Sequence, residues 1–196
     1  MQKIFKIEGS IEEYVEKGRK YQFPPPPVEC CHSCNKLVRF GKHGFYDRYS
    51  IVETFSGYIV CRRYICPLCK RTISYLPSFC LPRFIYGVKE IWRCIEETIL
   101  AKGTLKACLE KLNSIFKRLN ISRQLVYHYM KRFMKNFFQI GIRQMNSRAE
   151  LPKGSLGIRE RAKKVVEIIR ESPKAICSIS QEFYALSNKA FLTLSN

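Results

Sequence analysis

The chain has 196 residues, of which 46% are hydrophobic, and a formal net charge of +19. This length fits one or two domains, and the hydrophobic fraction is sufficient for a packed core. No run approaches the roughly 18 consecutive apolar residues that a transmembrane helix needs, so we expect no membrane span and no membrane partner.

Residues 1–28 predict an N-terminal helix followed by a proline-rich linker. Ser10 and Glu13 form a capping box, which favours a helix to about Lys17. The four prolines at 24–27 fit neither a helix nor the interior of a sheet, so they predict an extended spacer.

Residues 29–80 predict a small β zinc ribbon. Two Cys-x-x-Cys knuckles supply the four thiolates of a closed tetrahedral Zn²⁺ site: Cys31, Cys34, Cys66 and Cys69. Segments 45–51 and 58–65 between them are rich in β-branched and aromatic residues and predict strands. Cys30 is the alternative to Cys31, although it leaves three intervening residues before Cys34. Because the chain opens without a signal-peptide pattern, we expect a structural Zn²⁺ in a cytoplasmic, nucleoid-associated protein rather than a disulfide scaffold.

Residues 83–147 predict a helix-turn-helix. Apolar residues recur at three- and four-residue steps in a first segment, Thr104 caps a second, and Ser122 caps a third after a short turn. Residues 148–196 predict a basic helical C-terminal segment with a linker at 148–157, a helix over 158–171 and a short helix near 181–186. The fold class expected is therefore α+β, a small β zinc ribbon followed by a mostly α-helical helix-turn-helix region.

The positive charge is concentrated after the first knuckle. Residues 1–30 carry no net charge, whereas residues 31–80 carry +6, residues 81–150 carry +9 and residues 151–196 carry +4. An excess placed in this way is typical of a surface that binds a polyanion, and double-stranded DNA is the expected partner.

The third helix of the predicted helix-turn-helix offers candidate DNA contacts on the face opposite its apolar stripe. They are Arg123, Gln124, Tyr127, His128, Lys131, Arg132 and Lys135. Near the N-terminus of the helix, Arg123 can pair with guanine and Gln124 with adenine, while the later basic residues suit phosphates. A solvated face with no binding role is the alternative interpretation.

The ribbon offers a second basic set, namely Lys42, Arg48, Arg62, Arg63 and Arg71. Side chains alternate between the two faces of a strand, so Arg62 and Arg63 cannot both contact one ligand.

Three parts of the sequence resemble the zinc ribbon of insertion-sequence-encoded proteins. They are the first knuckle, residues 42–46 and the segment Arg63-Tyr-Ile-Cys-Pro-Leu-Cys-Lys-Arg-Thr-Ile-Ser74. In those proteins a helix-turn-helix follows the ribbon, and the likeness covers about residues 31–137. Residues 76–82 are also similar to an uncharacterised bacterial family assigned to transposases. The resemblance implies DNA binding at transposon ends, with the four knuckle cysteines as metal ligands. Ile73 departs from it, because Phe is usual there.

Catalysis by this chain is not expected. A transposase of the three-carboxylate type binds two Mg²⁺ ions, yet the chain has a single aspartate, Asp47, and we expect the later glutamates mostly on helix surfaces. The predicted function is zinc-stabilised, sequence-specific binding of double-stranded DNA by a recognition subunit or regulator of a mobile element. Alternatives are a self-sufficient transposase or nuclease and an RNA- or RNA-polymerase-binding zinc module. The sequence leaves open a separate transposase subunit and a homodimer.

Overall fold

The computed structural model describes residues 1–144, 157–187 and 189–193. In these described residues, six strands form the N-terminal part of the chain, with one helix, α1, between the first two strands. The strands are β1 Gln2–Phe5, β2 Val28–Cys30, β3 Leu37–Arg39, β4 Gly41–Ile51, β5 Ser56–Ile65 and β6 Thr72–Pro77. A four-stranded sheet has the order β1-β6-β5-β4, and β2 pairs with β3 in a separate antiparallel ribbon. The α+β fold class is confirmed.

The antiparallel β4–β5 hairpin is the centre of the larger sheet. Its register places Tyr46 opposite Cys61 and Arg48 opposite Ile59. The strands predicted at 45–51 and 58–65 are present, and both begin earlier than predicted. The apolar face of β5 contributes Ile59 and Cys61 to a buried core.

The N-terminal segment contributes a strand to the sheet before its predicted helix. β1 pairs in parallel with β6, with Gln2 opposite Ser74. Helix α1 (Ile11–Lys17) begins as predicted, because the Ser10 Oγ accepts the Glu13 amide proton at 3.1 Å. Buried Tyr14 donates its hydroxyl to the Val60 carbonyl at 2.5 Å. We therefore treat residues 1–80 as one sheet region.

The remaining helices form a second hydrophobic core. They are α2 Val88–Leu100, α3 Leu105–Ile115, α4 Arg123–Gln144, α5 Ile158–Glu171 and α6 Ile176–Ser187. The Thr104 hydroxyl accepts the Ala107 amide proton at 3.3 Å, and the Ser122 hydroxyl accepts that of Leu125 at 3.2 Å. Both predicted caps are thus confirmed, together with the buried stripe of α2.

The C-terminal helices belong to the same core as α2 and α4. Ala162, Val165, Val166 and Ile169 of α5 are buried in it, as predicted, and α6 also contacts β1. The predicted domain boundary at 148 therefore does not separate an independent core. The predicted linker at 148–157 lies outside the described residues, except for Gly157, which precedes α5.

A hydrogen-bonded segment, residues 81–87, connects the two regions; we call it the joint. The Ile51 amide donates to the Ile85 carbonyl, and the Gly87 amide donates to the Ile51 carbonyl, both at 2.8 Å. One further bond, from the Glu53 amide to the Glu90 carboxylate at 2.9 Å, ties the end of the hairpin to α2. These bonds fix the direction in which the helices leave the sheet.

Candidate metal centre and basic surfaces

The four knuckle cysteines come together in one cluster. The Sγ atoms of Cys31 and Cys69 are 3.5 Å apart, those of Cys34 and Cys66 are 3.9 Å apart, and all four lie within 4.8 Å of one another. A tetrahedral ion with metal–sulfur bonds of about 2.3 Å requires sulfur–sulfur distances of about 3.8 Å. The cluster therefore fits a four-thiolate metal site.

The two knuckles have the same backbone geometry. In the first, the Asn35 amide donates to the Cys31 carbonyl at 2.8 Å, and in the second the Lys70 amide donates to the Cys66 carbonyl at 3.1 Å. The donating residue has a positive φ in each, 52° at Asn35 and 60° at Lys70. Because the same turn occurs twice, each knuckle directs its two thiols towards the shared centre.

Cys31, and not Cys30, belongs to the cluster. The backbone amides of Cys34 and Ser33 donate to the Cys31 sulfur and lower the pKa of its thiol to about 6, which favours the thiolate that a metal binds. Cys30 is exposed and lies in β2 opposite Leu37. The structure therefore brings into the cluster the cysteine that the spacing favoured.

Four other cysteines are buried packing residues: Cys61, Cys80, Cys94 and Cys108. Burial raises the pKa of the Cys61 thiol to about 11 and those of Cys80 and Cys94 to about 12, which keeps these thiols neutral. Among the described residues, the knuckle cysteines are the only group of three or more His, Cys, Asp or Glu side chains that converge as a metal site would require.

The outer face of α4 carries six of the seven predicted contact residues in exposed positions: Arg123, Gln124, Tyr127, His128, Lys131 and Lys135. Tyr127 has 56% of its surface exposed. Val126, Tyr129 and Phe133 are buried on the opposite face. The division of α4 into an apolar and a polar face is therefore as predicted.

Arg132 differs from the other six. It is half-buried, and its guanidinium donates to the Leu192 carbonyl at 3.1 Å and lies 5.6 Å from the Phe84 ring. These contacts hold the chain after α6 and the joint against α4. Arg132 thus has a structural role besides any contact with a ligand.

Asn113 fixes the turn between α3 and α4, and sequence reasoning missed it. Its side-chain amide donates to the Ile121 carbonyl at 3.2 Å, and its carbonyl oxygen accepts the Ile121 amide proton at 2.9 Å. Both backbone groups of Ile121 are satisfied by one side chain, so the segment just before the Ser122 cap has a defined position. An asparagine in the last turn of a helix is the only sequence signal for this contact.

The basic residues of the sheet do not form one surface. Arg62 packs over the Phe45 ring at 4.3 Å, and Arg63 packs over Tyr46 at 4.6 Å. The register places these two pairs on opposite faces of the sheet, as the alternation predicted. Lys42 and Arg71 are exposed.

Arg48 shares the face of Arg63 but contacts the joint. Its guanidinium donates to the Leu81 carbonyl at 2.7 Å and to the Phe84 carbonyl. The sequence predicted Arg48 as a DNA contact. In the structure Arg48 is half-buried and connects the sheet to the segment that leads into α2.

Two glutamates of α2 are exceptions to the expectation that the later glutamates lie mostly on helix surfaces. Glu90 is 5% exposed and Glu96 is 8% exposed. Burial raises the pKa of Glu90, while its carboxylate accepts the Glu53 amide proton. Glu96 forms an ion pair with Arg93 at 3.2 Å. Glu90 is covered where the loop between β4 and β5 meets the start of α2.

The chain matches no protein-family model, no curated protein and no solved structure. Within the described part of the chain, no helix combines the length and apolarity needed to cross a bilayer.

Proposed function

We propose that this chain is a sequence-specific double-stranded DNA-binding protein that carries a structural Zn²⁺. In this proposal the sheet region is a zinc ribbon and α2–α4 form a helix-turn-helix. The observation that carries it is the outer face of α4, where exposed basic, amide and aromatic side chains stand together and where none of the helix's 22 residues is acidic.

The second helix of such a motif places its N-terminal residues against base edges in the major groove. Arg123 would form two hydrogen bonds to guanine and Gln124 two to adenine. Lys131 and Lys135, further along the exposed face, would contact phosphates and set the position of the helix on the duplex. The Asn113 contacts support this role, because they fix the segment that leads into the reading end of α4.

Zinc has a structural role in this proposal. Four thiolates complete a tetrahedral coordination sphere and leave no open position for a substrate. Its binding free energy, of order 10 kcal/mol for small zinc modules, would hold the knuckles together and so support the sheet. The sheet in turn holds the joint through Arg48.

A mobile element is the biological setting that the resemblance of residues 31–137 suggests. The chain would then be the recognition subunit or a regulator of transposition, with double-stranded DNA and a separate transposase subunit as partners. Catalysis would belong to that subunit.

The test is a set of α4 variants measured on a panel of duplexes. Arg123→Ala and Gln124→Ala should change which sequences bind best, because they remove base contacts. Lys131→Ala should weaken binding to all duplexes and lower the slope of log K against log salt by about 0.9, the value for one phosphate.

Lys102→Gln is the matched control. Lys102 is exposed just beyond α2, a helix whose 13 residues span roughly 20 Å from the joint. If none of the three α4 variants differs from this control on any duplex, the recognition role of α4 is wrong. If structured RNA competes better than duplex DNA at physiological salt, the RNA-binding alternative replaces the proposal.

A further inference from the structure

The joint contains an arginine in a backbone conformation that arginine rarely adopts. Residues 81–84 form a β-turn in which the Phe84 amide donates to the Leu81 carbonyl at 3.1 Å. Pro82 occupies the second position and Arg83 the third, where φ is 71°. A turn with proline second and a positive φ third normally has glycine or asparagine at that third position. An arginine there costs conformational energy, so its side chain needs an explanation.

The surrounding contacts hold this turn in place from both sides. On the sheet side, the Arg48 guanidinium donates to the carbonyls of Leu81 and Phe84, the two ends of the turn. On the helix side, the Phe84 ring lies 6.0 Å from that of Tyr129, a buried residue of α4. The backbone of Arg83 is therefore fixed relative to both the sheet and α4.

The side chain of Arg83 serves none of these contacts. It is exposed and, among the described residues, forms no ion pair. Arg48 binds the same turn and Arg132 lies against Phe84, while the phenol of Tyr184 in α6, which also interacts electrostatically with Arg83, is uncharged at pH 7 and does not neutralise it. Asp47, the one aspartate, alternates to the opposite face of the sheet from Arg48. An uncompensated guanidinium on a rigid turn is suited to bind an anion.

We infer that Arg83 binds a backbone phosphate of the duplex whose groove α4 enters, and so extends the DNA-binding surface from α4 onto the joint. The inference rests on the proposed function, because the bound duplex is the source of the phosphate. The ligand is one phosphodiester oxygen pair, and the contact carries no sequence information.

Substitution by asparagine separates a binding role from a structural one. Asparagine accepts a positive φ and carries no charge, so Arg83→Asn should leave the melting temperature unchanged or raise it. The same variant should weaken binding to all duplexes about two- to tenfold and lower the salt slope by about 0.9. Arg83→Lys keeps a cation and should retain most of the affinity.

The experiment measures binding to a fixed 20-base-pair duplex across salt concentrations, together with melting temperature, for both Arg83 variants and for Lys102→Gln. The inference is upheld if, of these three variants, only Arg83→Asn shows weaker binding and a smaller salt slope while its melting temperature is maintained. It is overturned if Arg83→Asn binds like Lys102→Gln, or if both Arg83 variants lose affinity in proportion to lost stability.

The α4 variants make the two possible failures distinguishable. If Lys131→Ala loses affinity and Arg83→Asn does not, the phosphate contact is wrong and the proposed function stands. If Arg83→Asn loses affinity and the α4 variants do not, the surface lies on the joint and the recognition role of α4 is wrong. If the wild-type chain binds no duplex, both are overturned.

Discussion

Removing the two hydrogen bonds from Arg48 to the joint should destabilise the protein measurably. Arg48→Met keeps the aliphatic length of the side chain but leaves the Leu81 and Phe84 carbonyls without their charged donor. A hydrogen bond to a charged group contributes about 1.5 to 3 kcal/mol when it is buried. Since Arg48 is half-buried, water replaces part of each bond, and we expect a total loss of about 2 to 3 kcal/mol.

For a chain of this size, that loss corresponds to a fall in melting temperature of about 5 to 10 °C. The assay is thermal and urea unfolding of the zinc-loaded protein. Arg63→Met is the matched control, because Arg63 lies on the same face of the sheet and packs on Tyr46 without holding the joint. A loss at Arg48 no larger than the loss at Arg63 would refute the view that Arg48 ties the two regions together.

Two further predictions concern the metal ligands and a buried acid. Cys31→Ser should abolish stoichiometric zinc binding, whereas Cys30→Ser should still bind one zinc per chain. The zinc content of each variant is measured by colorimetry after a thiol reagent has released the metal. An equal loss of zinc in the two variants would contradict the assigned ligands. Burial raises the pKa of Glu90, so its ionisation opposes folding at pH 7, and this cost shrinks as pH falls from the raised pKa towards the ordinary pKa of a glutamate. Glu90→Gln keeps an acceptor for the Glu53 amide and should raise the melting temperature at pH 7, with a gain that shrinks in acid; a loss at every pH would contradict this cause.

Features set by local spacing could be predicted from the sequence. The two-residue gap selected Cys31 over Cys30, because one turn must direct both thiols of a knuckle to one point. The apolar stripes predicted α2 and α4, and Thr104 and Ser122 predicted where α3 and α4 begin. Each of these signals lies within a few residues of the structure that it determines.

Features set by distant contacts could not be predicted in this way. β1 is four residues long and pairs with β6 about 70 residues later, so its own pattern says nothing of its partner. In the sequence, Asn113 is simply a polar residue on an amphipathic helix. Its contact with Ile121 exists only because the turn between α3 and α4 brings the two residues together. Glu90 is buried because the loop between β4 and β5, 37 residues earlier at Glu53, packs against the start of α2.

In the proposed function, the zinc-dependent structure lets this chain recognise a DNA sequence. The most direct measurement is selection of bound duplexes from a random pool, carried out in parallel with zinc-loaded protein and with protein treated with a chelator. We predict one enriched sequence motif for the zinc-loaded protein and its loss after chelation. Enrichment of no motif by the loaded protein, or of the same motif with equal strength after chelation, would contradict zinc-dependent DNA recognition.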